Sequence, residues 1–545
     1  MRKILIIFIG ILIAGNSIAG GLVTNHNQSA MFTRMQNRSA STGIDAVYYN
    51  PAGLTRLGEG FYASLNNQFV HQTRTVGSNY PFLSGTGSGS SYKEYVGKIY
   101  APVFPGVYVA YNTGNLSFSA GFNPVGGGGG AKYNKGLPSF EMGISDLVPL
   151  LSNQKIPTTD YSADIFFEGS SIYFGYQANA GYKISDMFSV AAGVRLVSAK
   201  NTYSGYLRDI SINPDYAAFG SSYTGTMNSA SQFFADGSTF LTGLATSSTS
   251  AATGLSNAMT GGVSPDTPLS AMPASTVAGV TQLLGAAGID ATGMNIGTAA
   301  ATLNAIAPVF TSKATAMAGY SAQTQDIEVD VEETGVGYTP ILSVNFSPSD
   351  KMDISVKYEF KTKLELTTKV KDNKSGGLFT EGEKIVADIP AILTIGAEVK
   401  PMDKLIVAAT MNIYFDKNLD YDGSKSIDID MTDRNFLEYG MGLEYALSSK
   451  LRASAGWLAT RTSANSNYLN DQRYSTNTNT FGAGFGYHIT PMIDLNMGGS
   501  YSFYDEGSKS YSKTLMELPV SWNETYNKKT WIVSIGLDFS FGKAK

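Results

Sequence analysis

A membrane-spanning, all-β barrel of fourteen antiparallel strands is the fold class this sequence predicts. Three observations carry the prediction: an export signal, a composition rich in glycine and aromatics but poor in charge, and apolar residues that recur at every second position. Charged residues make up only 15 %, aromatics reach 12 % and glycine accounts for 59 of 545 residues, yet no apolar run is long enough to cross a bilayer as a helix. The net charge of −5 supplies no field for nucleic acid, and with no cysteine there is neither a disulfide nor a thiolate metal site.

The elements follow in chain order. Arg2-Lys3, the apolar stretch from Ile4 to Ala14 and the small residues Ser17-Ile18-Ala19 are the three regions of a secretory signal, so 1–19 is expected to be removed. Residues 20–58 lack strand alternation and carry Asn, Gln, Ser, Arg38 and Asp45. Fourteen strands leave an open lumen, which makes this polar segment a plug, or hatch, inside a barrel formed by 59–545. The stretch Tyr48-Tyr49-Asn50-Pro51-Ala52-Gly53-Leu54 reads as the joint between plug and barrel. Pro51 fixes φ and extends Asn50, Asn50 bonds locally, and Ala52-Gly53 allow close approach to the wall.

The strands are expected to start near 60, 95, 116, 167, 188, 326, 352, 385, 405, 435, 451, 476, 493 and 529. The last shows the pattern well: Trp531, Val533, Ile535, Leu537, Phe539 and Phe541 take one face, and Ser534, Gly536, Asp538 and Ser540 the other. In "FGAGFGY" the aromatics Phe481, Phe485 and Tyr487 alternate with glycines. Short turns recur, as at Ser185-Asp186-Met187 and Thr490-Pro491-Met492, and alternate with long polar loops such as 77–92, 126–166, 372–384, 423–434, 466–475 and 508–527. That asymmetry separates periplasmic turns from extracellular loops. The longest loop, 213–325, has only Asp266, Asp290 and Lys313 charged beyond Gly237. It is read either as a flexible low-complexity insertion or as short helices, one capped by Ser275 with Val277, Val280, Leu283 and Leu284 on a face, another bearing Leu303, Ile306 and Phe310. In the helical reading these residues present an apolar surface to the outside.

At this point the chain resembles the FadL-type outer-membrane transporters of long-chain fatty acids and other hydrophobic compounds, aromatic hydrocarbons included. The resemblance rests on Asn50, Pro51 and Ala52, on the segment before strand one, and on the strand count, and covers nearly the whole mature chain. It implies a hatch closing the lumen and a third strand that opens the wall toward the membrane. Here that strand reads "LSFSAGFNPVGGGGGAKY", and sheet pairing is expected to fail at Asn123, Pro124, Gly126, Gly127 and the glycines after them. The implied route is capture at outer loops, a step into an apolar pocket, a hatch rearrangement and lateral exit. Leaving an apolar pocket for water would cost ~0.8 kcal/mol per CH₂, and lateral exit avoids that cost.

A carboxylate ligand would want an inward-facing cation. Parity puts Arg195 inside, because Phe188, Val190, Val194 and Leu196 face lipid, and Lys200, Lys357 and Lys361 complete the candidate set. Glu359, Glu398, Glu438, Glu444, Arg452, Asp494 and Asp538 share the inner face as structural charges. Catalysis is not expected, since His26, His71 and His488 are far apart, the latter two read as interfacial, and no G-x-S-x-G elbow occurs. "DKNLDYDG" at 416–423 departs from a calcium loop at Tyr421 and Ile429. No metal and no cofactor are expected. The partners are a hydrophobic small molecule and outer-membrane lipid around a monomer, in the outer membrane of a Gram-negative cell. The alternatives are an aromatic-hydrocarbon channel and, without a plug, a general diffusion porin. Gly542 to Lys545, after the terminal aromatic Phe541, are unusual for this class.

Overall fold

The computed structural model describes residues 27–83, 92–372, 379–417, 419 and 431–542. The signal stretch, most of 416–423 and the last three residues lie outside them.

Fourteen antiparallel strands make a closed wall. They are β1 Gly60–Ser78, β2 Lys93–Thr113, β3 Leu116–Tyr133, β4 Tyr161–Lys183, β5 Phe188–Ile212, β6 Ile327–Ser349 and β7 Met352–Glu359. They continue as β8 Ile392–Met402, β9 Leu405–Tyr414, β10 Phe436–Ala446, β11 Leu451–Arg461, β12 Thr478–Thr490, β13 Ile493–Tyr504 and β14 Leu518–Ser540. Each pairs with its chain neighbours, and β1 pairs with β14 from Tyr62↔Ser540 to Ser78↔Glu524, so no edge is left. Alternation holds along the wall: Val103 is 69 % and Met441 54 % exposed on the outer face, while Lys357 on the inner face is 1 % exposed. Polar side chains are thus turned away from lipid.

Three starts depart from the sequence reading. β4 begins six residues early, and the short strand Lys384–Val386 precedes β8, which itself begins at Ile392. β14 begins at Leu518, because the expected loop 508–527 is a hairpin in which Gly507–Leu515 pairs with its first part. The outward residues there are Ser521, Asn523, Thr525, Asn527 and Lys529, so that part stands clear of lipid and carries no apolar alternation to detect.

The expected wall defect is present in another form. β3 stays paired with β4 through its glycines, with register shifts at Pro124/Gly126 and Gly126/Gly129. Its pairing to β2 is what breaks, running from Thr113↔Leu116 to Val107↔Phe122 and resuming only at Lys98↔Lys132. Pro102 and Pro105 fall in the unpaired stretch of β2 and cannot donate to a ladder. Gly127 has φ +94°, a conformation that glycine adopts without strain, and a Cβ there would collide with the Ser171 carbonyl.

The described chain divides into two compact units. One comprises Met142–Asp164 and Leu207–Ile327, and the other holds the remaining wall and the leader. Helices α3 (Pro138–Ser145) and α4 (Leu147–Asn153) follow β3, and within the first unit α5 (Ala230–Thr260), α6 (Ala274–Ala286) and α7 (Ile296–Gln323) enclose a core that includes Leu255, Val280, Leu284, Leu303 and Phe310. The helices are longer than expected, and their apolar residues are packed against one another rather than offered outward. Val277 alone of the residues named from sequence lines a shallow groove, with Met272, Ala274 and Ala278. Ser275 is not the cap of α6, which starts behind Pro273. Among the described residues no helix is long and apolar enough to cross a membrane.

Candidate functional site: the leader and the pocket above it

The leader, residues 27–59, is almost entirely buried and holds two short helices, α1 (Ala30–Met35) and α2 (Ala46–Tyr49), with a 3₁₀ turn over Pro51–Arg56. Ser29 caps α1 by accepting from the Phe32 amide (3.1 Å), and Gln36 ends it at φ 61°. Pro51 opens the 3₁₀ turn, where its fixed φ and missing N–H cost nothing.

Wall glycines make room for it. A Cβ on Gly396 would stand 2.6 Å from the Ala40 amide, on Gly498 2.8 Å from that of Arg34, and on Gly536 3.1 Å from the Ala30 side chain. Gly442 and Gly456 would collide with Met35 and Gly482 with Thr33. In the sequence these glycines alternate with outward apolar residues, as Gly442 does between Met441 and Leu443 and Gly482 beside Phe481.

The joint is built from side-chain hydrogen bonds. Asn50 Nδ2 donates to the Ser41 carbonyl (3.1 Å) and to Asn345 Oδ1 (2.7 Å), and its Oδ1 accepts from Ser343 Oγ (3.2 Å). The Ala52 carbonyl accepts from Ser189 Oγ at 2.9 Å. A Cβ on Gly53 would sit 2.7 Å from the Ser41 carbonyl, which explains the glycine. The Tyr48 ring lies between two cations, 4.9 Å from Arg195 and 4.7 Å from Lys357, whose Nζ also donates to the Tyr48 carbonyl at 2.8 Å. Arg38 pairs with Asp45 (2.8 Å) inside the leader and approaches Glu398 of β8 (3.6 Å), while Arg34 pairs with Glu444 of β10.

Above Tyr48 is a pocket lined by Val125, Arg195, Val197, Glu359, Ile389, Ile392 and Tyr414, among others. Water centres find about 20 Å³ in it, room for roughly one water molecule. Arg195 and Lys357 both bond Glu359, at 2.6 and 2.8 Å, so two cations share one carboxylate and these three groups together carry a net positive charge, with Glu438 behind Tyr414 as the next carboxylate.

Residues 291–541 match the family model described as outer membrane protein transport protein (OMPP1/FadL/TodX). A solved FadL homologue of Pseudomonas aeruginosa covers 96 % of this chain with 100 % of its own, at 14 % identity and a TM-score of 0.56. The barrel has the fold of that FadL homologue. The Pseudomonas putida toluene transporter TodX (13 % identity, 92 % of this chain and 95 % of its own, TM-score 0.47) superposes more loosely. So does the Ralstonia pickettii toluene transporter TbuX (14 %, 91 % and 94 %, 0.45). None of the curated proteins compared with the chain matches it.

Two of the four cations named from sequence line or underlie the pocket and two do not. Arg195 and Lys357 are brought together, whereas Lys200 is 55 % exposed and pairs with Glu332, and Lys361 pairs with Asp388 (2.7 Å) just past the end of β7. Their outward placement follows from parity for Lys200 and from the end of the strand for Lys361. His71 stacks near Trp531 on the outer face, but His488 faces inward and pairs with Asp494, contrary to the interfacial reading. Sequence reasoning missed Glu359 as the shared counter-ion and Pro102/Pro105 as the second half of the wall defect. The two prolines inside a strand pattern were the available signal.

Proposed function

We propose that the protein carries hydrophobic molecules, foremost long-chain fatty acids, passively across the outer membrane. The leader serves as a hatch, and release is lateral, between β2 and β3. The observation that carries this reading is that Val125 belongs both to the pocket lining and to the stretch of β3 that has left β2. A molecule in the pocket thus touches the wall defect directly. With room for about one water, the pocket admits a chain only after Tyr48 and its neighbours move, which supports a hatch step before exit. The net positive charge of Arg195, Lys357 and Glu359 supports a carboxylate over an uncharged hydrocarbon.

The test is uptake of radiolabelled palmitate and of toluene by cells bearing the wild type or Arg195→Gln. Loss confined to palmitate is expected, and equal transport of both by the variant would refute the carboxylate assignment. Planar-bilayer recording separates the porin alternative: near silence is expected, and large steady currents would refute the hatch.

A further inference from the structure

The outer face of the wall carries a row of cations to which the proposed transport gives no role. Toward the long-loop end, the outward residues of β13, β14, β1 and β2 first form an aromatic girdle, in which Tyr501 lies opposite Trp531, Trp531 opposite His71 and His71 opposite Tyr100. Two residues farther along each strand, about 7 Å, comes the row Phe503, Lys529, Thr73 and Lys98. Lys132 on β3 and Glu168 on β4 continue it. Parity turns the lysines outward, because Ile99, Ala131, Tyr133 and Thr530 beside them are buried, and Lys98, Lys132 and Lys529 are all exposed.

Lys98 and Lys132 stand directly opposite each other where β2 and β3 resume pairing, at the upper lip of the gap in the wall. Like charges facing each other across a ladder destabilise it. Elsewhere on the outer wall such cations are paired: Lys200 and Lys371 both reach Glu332, at 3.0 and 3.1 Å, and Lys384 reaches Glu365 at 2.6 Å. The three lysines of this row make no ion pair among the described residues. Even Lys132, with Glu168 opposite it, holds its Nζ over the Phe166 ring, 5.2 Å from the centroid. Glu94, the other outward carboxylate of β2, lies four residues beyond Lys98, about 13 Å along the strand.

We propose that Lys98 and Lys132, with Lys529 beside them, hold the phosphate of an anionic lipid headgroup in the outer leaflet. Aromatic girdles mark the level where acyl chains give way to headgroups, so the row stands at headgroup height. A phosphate between the two opposed ammonium groups replaces their repulsion with charge-assisted hydrogen bonds, and flexible lysine stems let both reach it. Below the row Tyr100 and Val103, 68 % and 69 % exposed, offer apolar contact to acyl chains. A free anion would use the charge alone, whereas a lipid uses both. The bound headgroup ties β2 to β3 above the gap, whatever molecule the lumen carries.

The test is native mass spectrometry of the full chain, released from detergent in the presence of lipid A, dephosphorylated lipid A or inorganic phosphate. The wild type is expected to retain lipid A about tenfold or more above the dephosphorylated form, the value of one charge-assisted contact. Lys98→Gln with Lys132→Gln should lower that retention by a similar factor, while Lys200→Gln with Lys371→Gln, an equal loss of charge, should leave it unchanged. Should the first pair fail to assemble, as judged by heat-modifiable gel mobility, Lys98→Glu gives Lys132 a carboxylate partner and should lose the lipid as well. Equal retention of the dephosphorylated form, equal loss in the two paired variants, lipid A retained by the variant that lacks the site, or displacement by inorganic phosphate at the concentration of the lipid would each overturn the assignment.

Discussion

Replacing Asn50 by Ala should loosen the hatch without touching the wall fold. The side chain makes three hydrogen bonds, to Ser41, Asn345 and Ser343, two of them to β6. At about 1 kcal/mol each the loss is about 3 kcal/mol, and because every 1.4 kcal/mol is tenfold, the open population should rise on the order of 100-fold. The chain has no cysteine, so a single Ala46→Cys reporter, at a position fully buried in α2, gives a clean label. Its maleimide rate tracks the open population when reclosing is fast. A rise of roughly two decades in Asn50→Ala over the reporter alone is expected. A rate within about threefold of the reporter, alongside fast labelling when the leader's other anchors are removed, would refute the view that Asn50 holds the joint.

Four further outcomes are expected. Gly53→Ala, which drives a Cβ toward the Ser41 carbonyl, should raise the same labelling rate and serves as an independent check on the joint. Replacing Pro102, Pro105, Pro124 and Gly126 by Val or Thr should let β2 and β3 zip together and abolish palmitate uptake while palmitate still binds the purified barrel; unchanged uptake would count against lateral exit. Arg195→Gln should weaken palmitate binding by about 10- to 30-fold, the loss of one charge-assisted hydrogen bond of about 1.5–2 kcal/mol, read by calorimetry in detergent. At the long-loop end, burial and the neighbouring Asp471 push the Glu524 carboxyl up to about 7 from 4.5. A raised acid stabilises the folded form fully below 4.5, and that contribution is lost as pH climbs to about 7. Hydrogen exchange in 466–475, where Asp471 accepts from the Ser139 amide, should accelerate over that window, and Glu524→Gln should flatten the profile.

Legibility followed the solvent that each residue meets. Where a strand crosses lipid, one face must be apolar and the other turned inward, so period two was visible in β12, β13 and the second half of β14, and parity alone placed Arg195 inside. Above the lipid that constraint ends. The first part of β14 has polar residues on both faces, and nothing local separates it from a loop. The 213–325 stretch is similar: alanine, serine and threonine tolerate helix but do not demand it, and only packing of Leu255, Leu303 and Phe310 into one core decides between helix and coil. The joint was legible as a turn with close approach, but not its partners, because Asn345 and Ser343 lie almost three hundred residues away. For the wall defect, the glycine run drew attention to β3, whereas the pairing lost is the one to β2, whose prolines carry as much of the cause.

The leader is gripped round the wall. α1 lies against β1 and β10 to β14, while α2 and the 3₁₀ turn lie against β2 and β3, on the side of the broken pairing, and their backbone carbonyls accept from Gln177 of β4, Ser189 of β5 and Lys357 of β7. A stopper bonded on every side, and bearing on the defect at one of them, yields by a local shift there more readily than by falling out like a cork. On the proposed transport reading, such a shift would admit one greasy molecule at a time without an aqueous bore through which ions or bulky polar toxins would leak, so the cell would keep its permeability barrier during every transport event.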